Sequence, residues 1–266
     1  MAEVMPNPVA RKINREAVVL FGWGRAVLLQ LAHPLIAAGV GEYSGFREGA
    51  GGYLKRVRGT VGAMLDLTFG TPDEARRIVA RIDGIHGHVH GTLREQVGLF
   101  PAGTPYSARD PLLLCWVHCT LLESMVIAYE RFVGPLSGAE KNAYVAEAAW
   151  VAHELGAGTD VVPTTYSGVE TFMADRHERG EITVGDQARR LGGALLSPPL
   201  GPMAPLFRLS RVITIGLLPE NVRAGYAFPW DEDRARSFVR AVSFVRGVRR
   251  LLPGVLSEFP AARRAA

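Results

Sequence analysis

Apolar residues recur at helical spacing along most of the chain, and the period-two alternation that marks a strand is scarce. In "TPDEARRIVARIDGIHGHVHGTLREQ", Thr71, Pro72 and Glu74 form a capping box with proline at the first helical position, and apolar residues then repeat at helical intervals. The pattern predicts a helix running through histidines 86, 88 and 90. Ser137 and Glu140 make a second capping box in "SGAEKNAYVAEAAWVAHELG", with Gly156 as its stop. Further helices are predicted over 165–178, 184–196, 203–216 and 231–251, separated by proline-rich turns such as "SPPLGPMAP" and "FPW". The fold class is all-α.

Two apolar stretches, "AVVLFGWGRAVLLQLAHPLIAAGV" (17–40) and "PLLLCWVHCTLLESMVIAYERFVG" (111–134), approach the length of a bilayer span. Arg25, Gln30 and His33 interrupt the first, and His118 and Glu123 the second. Such interruptions suit helices buried on most sides better than lipid-facing spans, so no transmembrane segment is expected. Buried polar side chains need partners, which makes these helices places to look for a cofactor. Pro34 kinks or ends the first helix directly after His33.

At 266 residues, with 48% hydrophobic and 21% charged, the chain reads as globular, with one domain over 15–256, an extension over 1–14 and a tail over 257–266. Thirty basic against 26 acidic residues leave a net charge of +4, which gives nucleic acid little support as a partner. The basic residues gather near the C-terminus in "DRARSFVRAVSFVRGVRR", along the exposed side of an amphipathic helix. A solvated face is the first reading of that helix, and peripheral contact with a membrane surface or an acidic partner the second. Cys115 and Cys119, four apart in one apolar helix, read as buried free thiols in a reducing compartment. The N-terminal "MAEVMPNPVARKINREAV" has no uninterrupted apolar core, so a cytoplasmic location is expected.

The run "RIDGIHGHVHG" (81–91) carries the candidate chemistry. On a continuous helix turning about 100° per residue, His86 and His90 share a face and His88 points away. Gly84, Gly87 and Gly91 weaken a helix by about 1 kcal/mol each relative to alanine, and they let a flat ligand approach the backbone. Three readings compete. His86 and His90 hold a non-haem metal with Asp83; or one imidazole is the axial ligand of a haem lodged between helices; or the histidines are hydrogen-bonded or surface residues with no cofactor.

The run "FGWGRAVLLQLAHPLIAAGVGEYSGFREGAGGYLKRVRGTVGAMLDLTFGTPDEARRIVARIDGIHGHVHG", followed by "YSARDPLLLCWVHCTLLES", resembles the rubber-oxygenase catalytic domain family. That family includes the latex clearing proteins and the endoplasmic-reticulum-bound oxygenase of mycophenolic acid biosynthesis. The likeness extends from about residue 15 to 180, through the series R-A-x-L-L-Q-x-A-H-P, R-x-x-x-T, F-G-T and H-x-x-V-x-G. It implies a helical bundle around a b-type haem whose iron is bound by the histidine opening the last motif, here His86 (metal), with His88 and His90 as neighbours. It places Arg56 and Thr60 of "YLKRVRGT" across the haem, with Gly59 where latex clearing proteins carry a lysine. Glu42 becomes the counterpart of the family's pocket glutamate, with a helix-end carboxylate as the alternative. Arg25 and His33 are candidate cofactor contacts, Arg25 through a haem propionate; the alternatives are an acidic side chain on a neighbouring helix for Arg25 and a packing joint for His33.

The function this resemblance implies is that of a haem b-dependent oxygenase using O2 on an apolar, olefinic small molecule. With no export signal, a terpenoid, polyketide or lipid-like substrate is expected in place of rubber. The alternatives are the non-haem metal protein built on Asp83, His86 and His90, and a cofactor-free helical protein that binds hydrophobic ligands.

Overall fold

A computed structural model describes residues 7–43, 49–197 and 204–264, with fourteen α-helices and one two-stranded ribbon among them. In chain order the helices are α1 (Pro8–Asn14), α2 (Leu20–Leu31), α3 (Pro34–Tyr43), α4 (Gly49–Phe69), α5 (Pro72–His86), α6 (Pro111–Phe132), α7 (Gly138–Glu154), α8 (Tyr166–Glu178), α9 (Asp186–Leu196), α10 (Ala204–Leu217), α11 (Glu220–Gly225), α12 (Glu232–Leu251), α13 (Gly254–Ser257) and α14 (Pro260–Arg264). The ribbon pairs β1 (His90–Thr92) antiparallel with β2 (Pro105–Ser107), between α5 and α6.

Helix α6 is the axis of the fold. Asp110 caps it by accepting from Leu112 N at 2.8 Å and Leu113 N at 3.2 Å, and Pro111 occupies the first turn, where no amide donor is needed. It is apolar around most of its circumference, so it is buried on most sides, with Trp116 and Phe132 in the core. α6 is long and apolar enough to cross a bilayer, yet most of that length is packed inside the protein. Its closest partner is α2. Gly22 permits that approach, since a Cβ there would lie 2.5 Å from the Ser124 carbonyl oxygen.

The first apolar stretch forms two helices. α2 and α3 meet at an angle of 105°, with His33 in the joint and Pro34 opening α3, as expected of a proline that cannot continue the ladder before it. Both capping boxes form, Thr71 with Glu74 and Ser137 with Glu140. Gly156, at φ +99°, takes the left-handed conformation that ends α7. Cys115 and Cys119 are buried free thiols with their sulfurs 3.8 Å apart. α1 also packs into the core, burying Ile13 completely.

Candidate functional site

The histidine run does not stay helical. α5 ends at His86, Gly87 caps it, and the chain turns so that His88 bonds through Nδ1 to the Gly84 carbonyl at 2.7 Å. His90 lies in β1, opposite Ser107. The expected shared helical face of His86 and His90 is therefore corrected, and the physical reason is the ribbon. Pairing with β2 pulls residues 90–92 into an extended strand, and Gly91 sits where a Cβ would come 2.7 Å from the Tyr106 hydroxyl. Asp83 is held by Arg109 through bonds of 2.7 and 3.0 Å, so the Asp83, His86, His90 metal triad is not assembled. Among the described residues no group of three or more His, Cys, Asp or Glu side chains comes together around a metal position.

His86 alone of the three lines a cavity, of about 410 Å³, enclosed by α3, α5, the ribbon, α6 and α7. Its walls are chiefly aliphatic, from Ile36, Val40, Val117, Leu121 and Leu155. The His86 Nδ1 atom is buried with no hydrogen-bond partner. Burial, assisted by the Arg109 guanidinium and opposed by Asp83, holds the ring below the usual histidine range. A neutral imidazole with an uncommitted nitrogen results, the protonation state a metal ligand requires.

His118 of α6 lines the same cavity, and its Nε2 is also buried without a partner. Burial, with a smaller contribution from nearby His153, pushes its pKa down to about 4. Two neutral imidazoles thus stand on one apolar space.

A second apolar cavity, of about 440 Å³, lies between α2, α3, α4, α9 and α10. Gln30, Ile36 and Val40 line both cavities, so the two are adjacent. Gln30 is fixed there by a 3.2 Å bond to the Thr120 hydroxyl. Thr60 lines the second cavity. Among the described residues, a Cβ at Gly59 would meet nothing within 4 Å. The side chain of Arg56 lies outside the described residues, though its backbone is part of α4.

Three other predicted site residues fall elsewhere. Arg25 is buried and spent on protein partners, with an ion pair to Glu123 at 2.7 Å and bonds to Ser124 Oγ at 2.8 Å and the Leu217 carbonyl at 2.9 Å. It lines neither cavity, and an acidic residue of the neighbouring helix, the alternative that the sequence left open, supplies its counter-charge. His33 likewise lines neither. Its ring packs against Phe100 with centroids 5.3 Å apart, its Nδ1 accepts from Leu35 N at 3.3 Å, and burial, opposed by Asp110 and aided by Arg176, pushes its pKa down to about 4. His33 thus packs at the joint of the α2–α3 bend. Glu42 reaches the His86 cavity only through Tyr106, whose hydroxyl donates to Glu42 Oε2 at 2.7 Å while its ring forms part of the wall. Burial and that bond hold the Tyr106 phenol above its usual range.

Tyr106 is the residue that sequence reasoning missed. The signal that could have found it is the last glycine of H-x-x-V-x-G, because Gly91 leaves the room that the Tyr106 hydroxyl occupies.

Comparison with known proteins adds an independent line. The family model described as ER-bound oxygenase mpaB/B'/Rubber oxygenase, catalytic domain, matches residues 10–247. Uncharacterised proteins of Mycobacterium bovis and Mycobacterium tuberculosis are each 27% identical over 233 residues, covering 85% of this chain and 87% of theirs. No solved structure matches the chain.

Proposed function

This chain belongs to the ER-bound oxygenase mpaB/B' and rubber oxygenase catalytic domain family, and from that premise we propose a haem b-dependent oxygenase that uses O2 on an apolar, olefinic small molecule. The observation that carries the reading is His86, a residue with a buried, partnerless Nδ1 that lines an apolar cavity at the end of α5.

The residues present fit the group. A b-type haem needs a neutral imidazole and an apolar slot. His86 would supply the first, and the apolar cavity it lines, with the neighbouring cavity that shares Gln30, Ile36 and Val40, would supply the second. When bound, the haem supplies redox-active iron for chemistry with dioxygen.

The chain's own groups do the rest in this reading. His86 would hold the iron, and the aliphatic walls would exclude water and receive the apolar substrate. Thr60, which lines the second cavity, and Arg56 of the same helix would be the polar groups that act on dioxygen if the haem is bound. Tyr106 keeps its proton at the phenol oxygen, and Glu42 orients it from outside the cavity. Glu42 is therefore a positioning residue for Tyr106.

The test is cofactor content. Protein expressed with ample haem supply is expected to show a Soret band and a haemochrome corresponding to one haem per chain. Iron bound without any haem band, or a colourless chain that still takes up apolar ligands, would reject the proposal.

A further inference from the structure

The outer side of α12 is left bare by the fold. Arg240, Phe244 and Leu251, spaced four and seven residues apart, fall on one helical stripe, and Phe244 is 62% and Leu251 86% exposed. Val255 and Leu256 continue the apolar surface into α13. Scattered exposed apolar residues are ordinary, but a contiguous run with a cationic border marks an interaction site.

The arginines around this stripe divide into two groups. Arg234 and Arg236, at the start of α12, are neutralised by Asp231, Glu232 and Asp233, and Arg249 turns inward to Glu16. Arg240 and Arg250 of α12, and Arg208 and Arg211 of α10 beside it, have no carboxylate partner among the described residues. Acidic residues are thus concentrated at one end of the helix, and the exposed aliphatic end keeps its positive charge uncompensated.

We infer that the face built from α10, the outer part of α12, and α13 docks on a membrane surface carrying anionic phospholipid. Hydrocarbon covers Phe244, Leu251 and Leu256, while lipid phosphates neutralise Arg208, Arg211, Arg240 and Arg250. A second copy of this chain would bring the same four cations against themselves. A nucleic acid would answer the charge and leave the aliphatic side chains uncovered. From residue 248 onward this surface also lies beyond the stretch matched by the family. α10 links the face to the interior, because Phe207, Ser210 and Thr214 line the second cavity while Arg208 and Arg211 are exposed. Docking therefore seats a cavity wall against the lipid, whatever cofactor the protein holds.

The experiment is sedimentation of the full chain with vesicles of phosphatidylcholine alone and of phosphatidylcholine mixed with phosphatidylglycerol. The expected result is binding to the anionic vesicles that weakens with added salt. Each arginine near such a surface contributes roughly a fivefold gain in partitioning, so Arg208→Gln with Arg240→Gln lowers binding by roughly 25-fold. Phe244→Ser with Leu251→Ser lowers it by roughly tenfold or more, with an unchanged circular dichroism spectrum because both side chains are exposed. The inference is overturned by a parent protein that stays in the supernatant with anionic vesicles, that binds both vesicle types equally, or that binds no better than the variants. A lipid-free dimer that dissociates on the Phe244→Ser change would give the face to a second copy and overturn it as well.

Discussion

Tyr106 and Glu42 are joined by a 2.7 Å hydrogen bond that crosses the wall of the His86 cavity, with the phenol ring inside and the carboxylate partly in solvent. Because Glu42 can rehydrate, Tyr106→Phe is expected to cost only about 1 kcal/mol of stability. Tyr106→Ala, which removes the ring, is expected to cost about 3 kcal/mol or more. Denaturant titration of Tyr106→Phe, Glu42→Gln and the double variant gives the coupling directly. Strictly additive effects would show that the bond does not bind the two residues together.

Arg25 serves the α2–α6 contact. Arg25→Met strands Glu123, whose side chain is only 17% exposed, and is expected to destabilise by about 3–5 kcal/mol. Adding Glu123→Leu removes the stranded charge and is expected to recover most of that loss. Haem content per folded chain should stay at the parent level in both, since Arg25 faces neither cavity. A variant that folds normally but loses haem would make Arg25 a cofactor contact.

At Gly22 the same two helices approach so closely that an added Cβ lies 2.5 Å from a backbone oxygen, an atom that cannot swing aside. Gly22→Ala is expected to lower the unfolding free energy by about 1–3 kcal/mol. Gly59→Ala, with nothing within 4 Å, is expected to be neutral or slightly stabilising. Equal melting temperatures for the two variants would contradict this.

His33 and His118 are both buried and both pushed down to about 4 from an ordinary value of 6.5. Above the ordinary value neither the folded nor the unfolded chain takes up these protons. Between the two values the unfolded chain binds protons that the native state refuses, so stability is complete above the upper value and is lost as pH falls through the window. The loss amounts to roughly 3 kcal/mol per histidine at most and levels off below the lower value. Denaturant midpoints measured across the window should fall, and His118→Gln should remove about half of the part due to these two groups. An unchanged pH dependence in that variant would falsify the assignment.

Much of the fold was legible because it is encoded locally. The two capping boxes, the proline after His33 and the left-handed Gly156 each state a boundary within a few residues of sequence. The predicted helix over 184–196 is observed as Asp186–Leu196, and that over 231–251 as Glu232–Leu251. The end of α5 was hidden because a three-residue strand carries almost no periodic signal, and its partner Tyr106 arrives from a separate segment. Arg25 announced itself as a buried cation, but its choice of Glu123, 98 positions away, is set by helix packing. The role proposed for His86 rests on a motif, while its isolation from His90 is set by the turn at Gly87.

The proposal comes down to which imidazole would carry a haem iron. Absorption spectra of the haem-supplied parent and of His86→Ala, His90→Ala and His118→Ala measure this most directly. The account predicts that the Soret band disappears in the first, stays unchanged in the second, and survives in the third. A Soret band retained at parental intensity by His86→Ala, or abolished by His90→Ala, would contradict it.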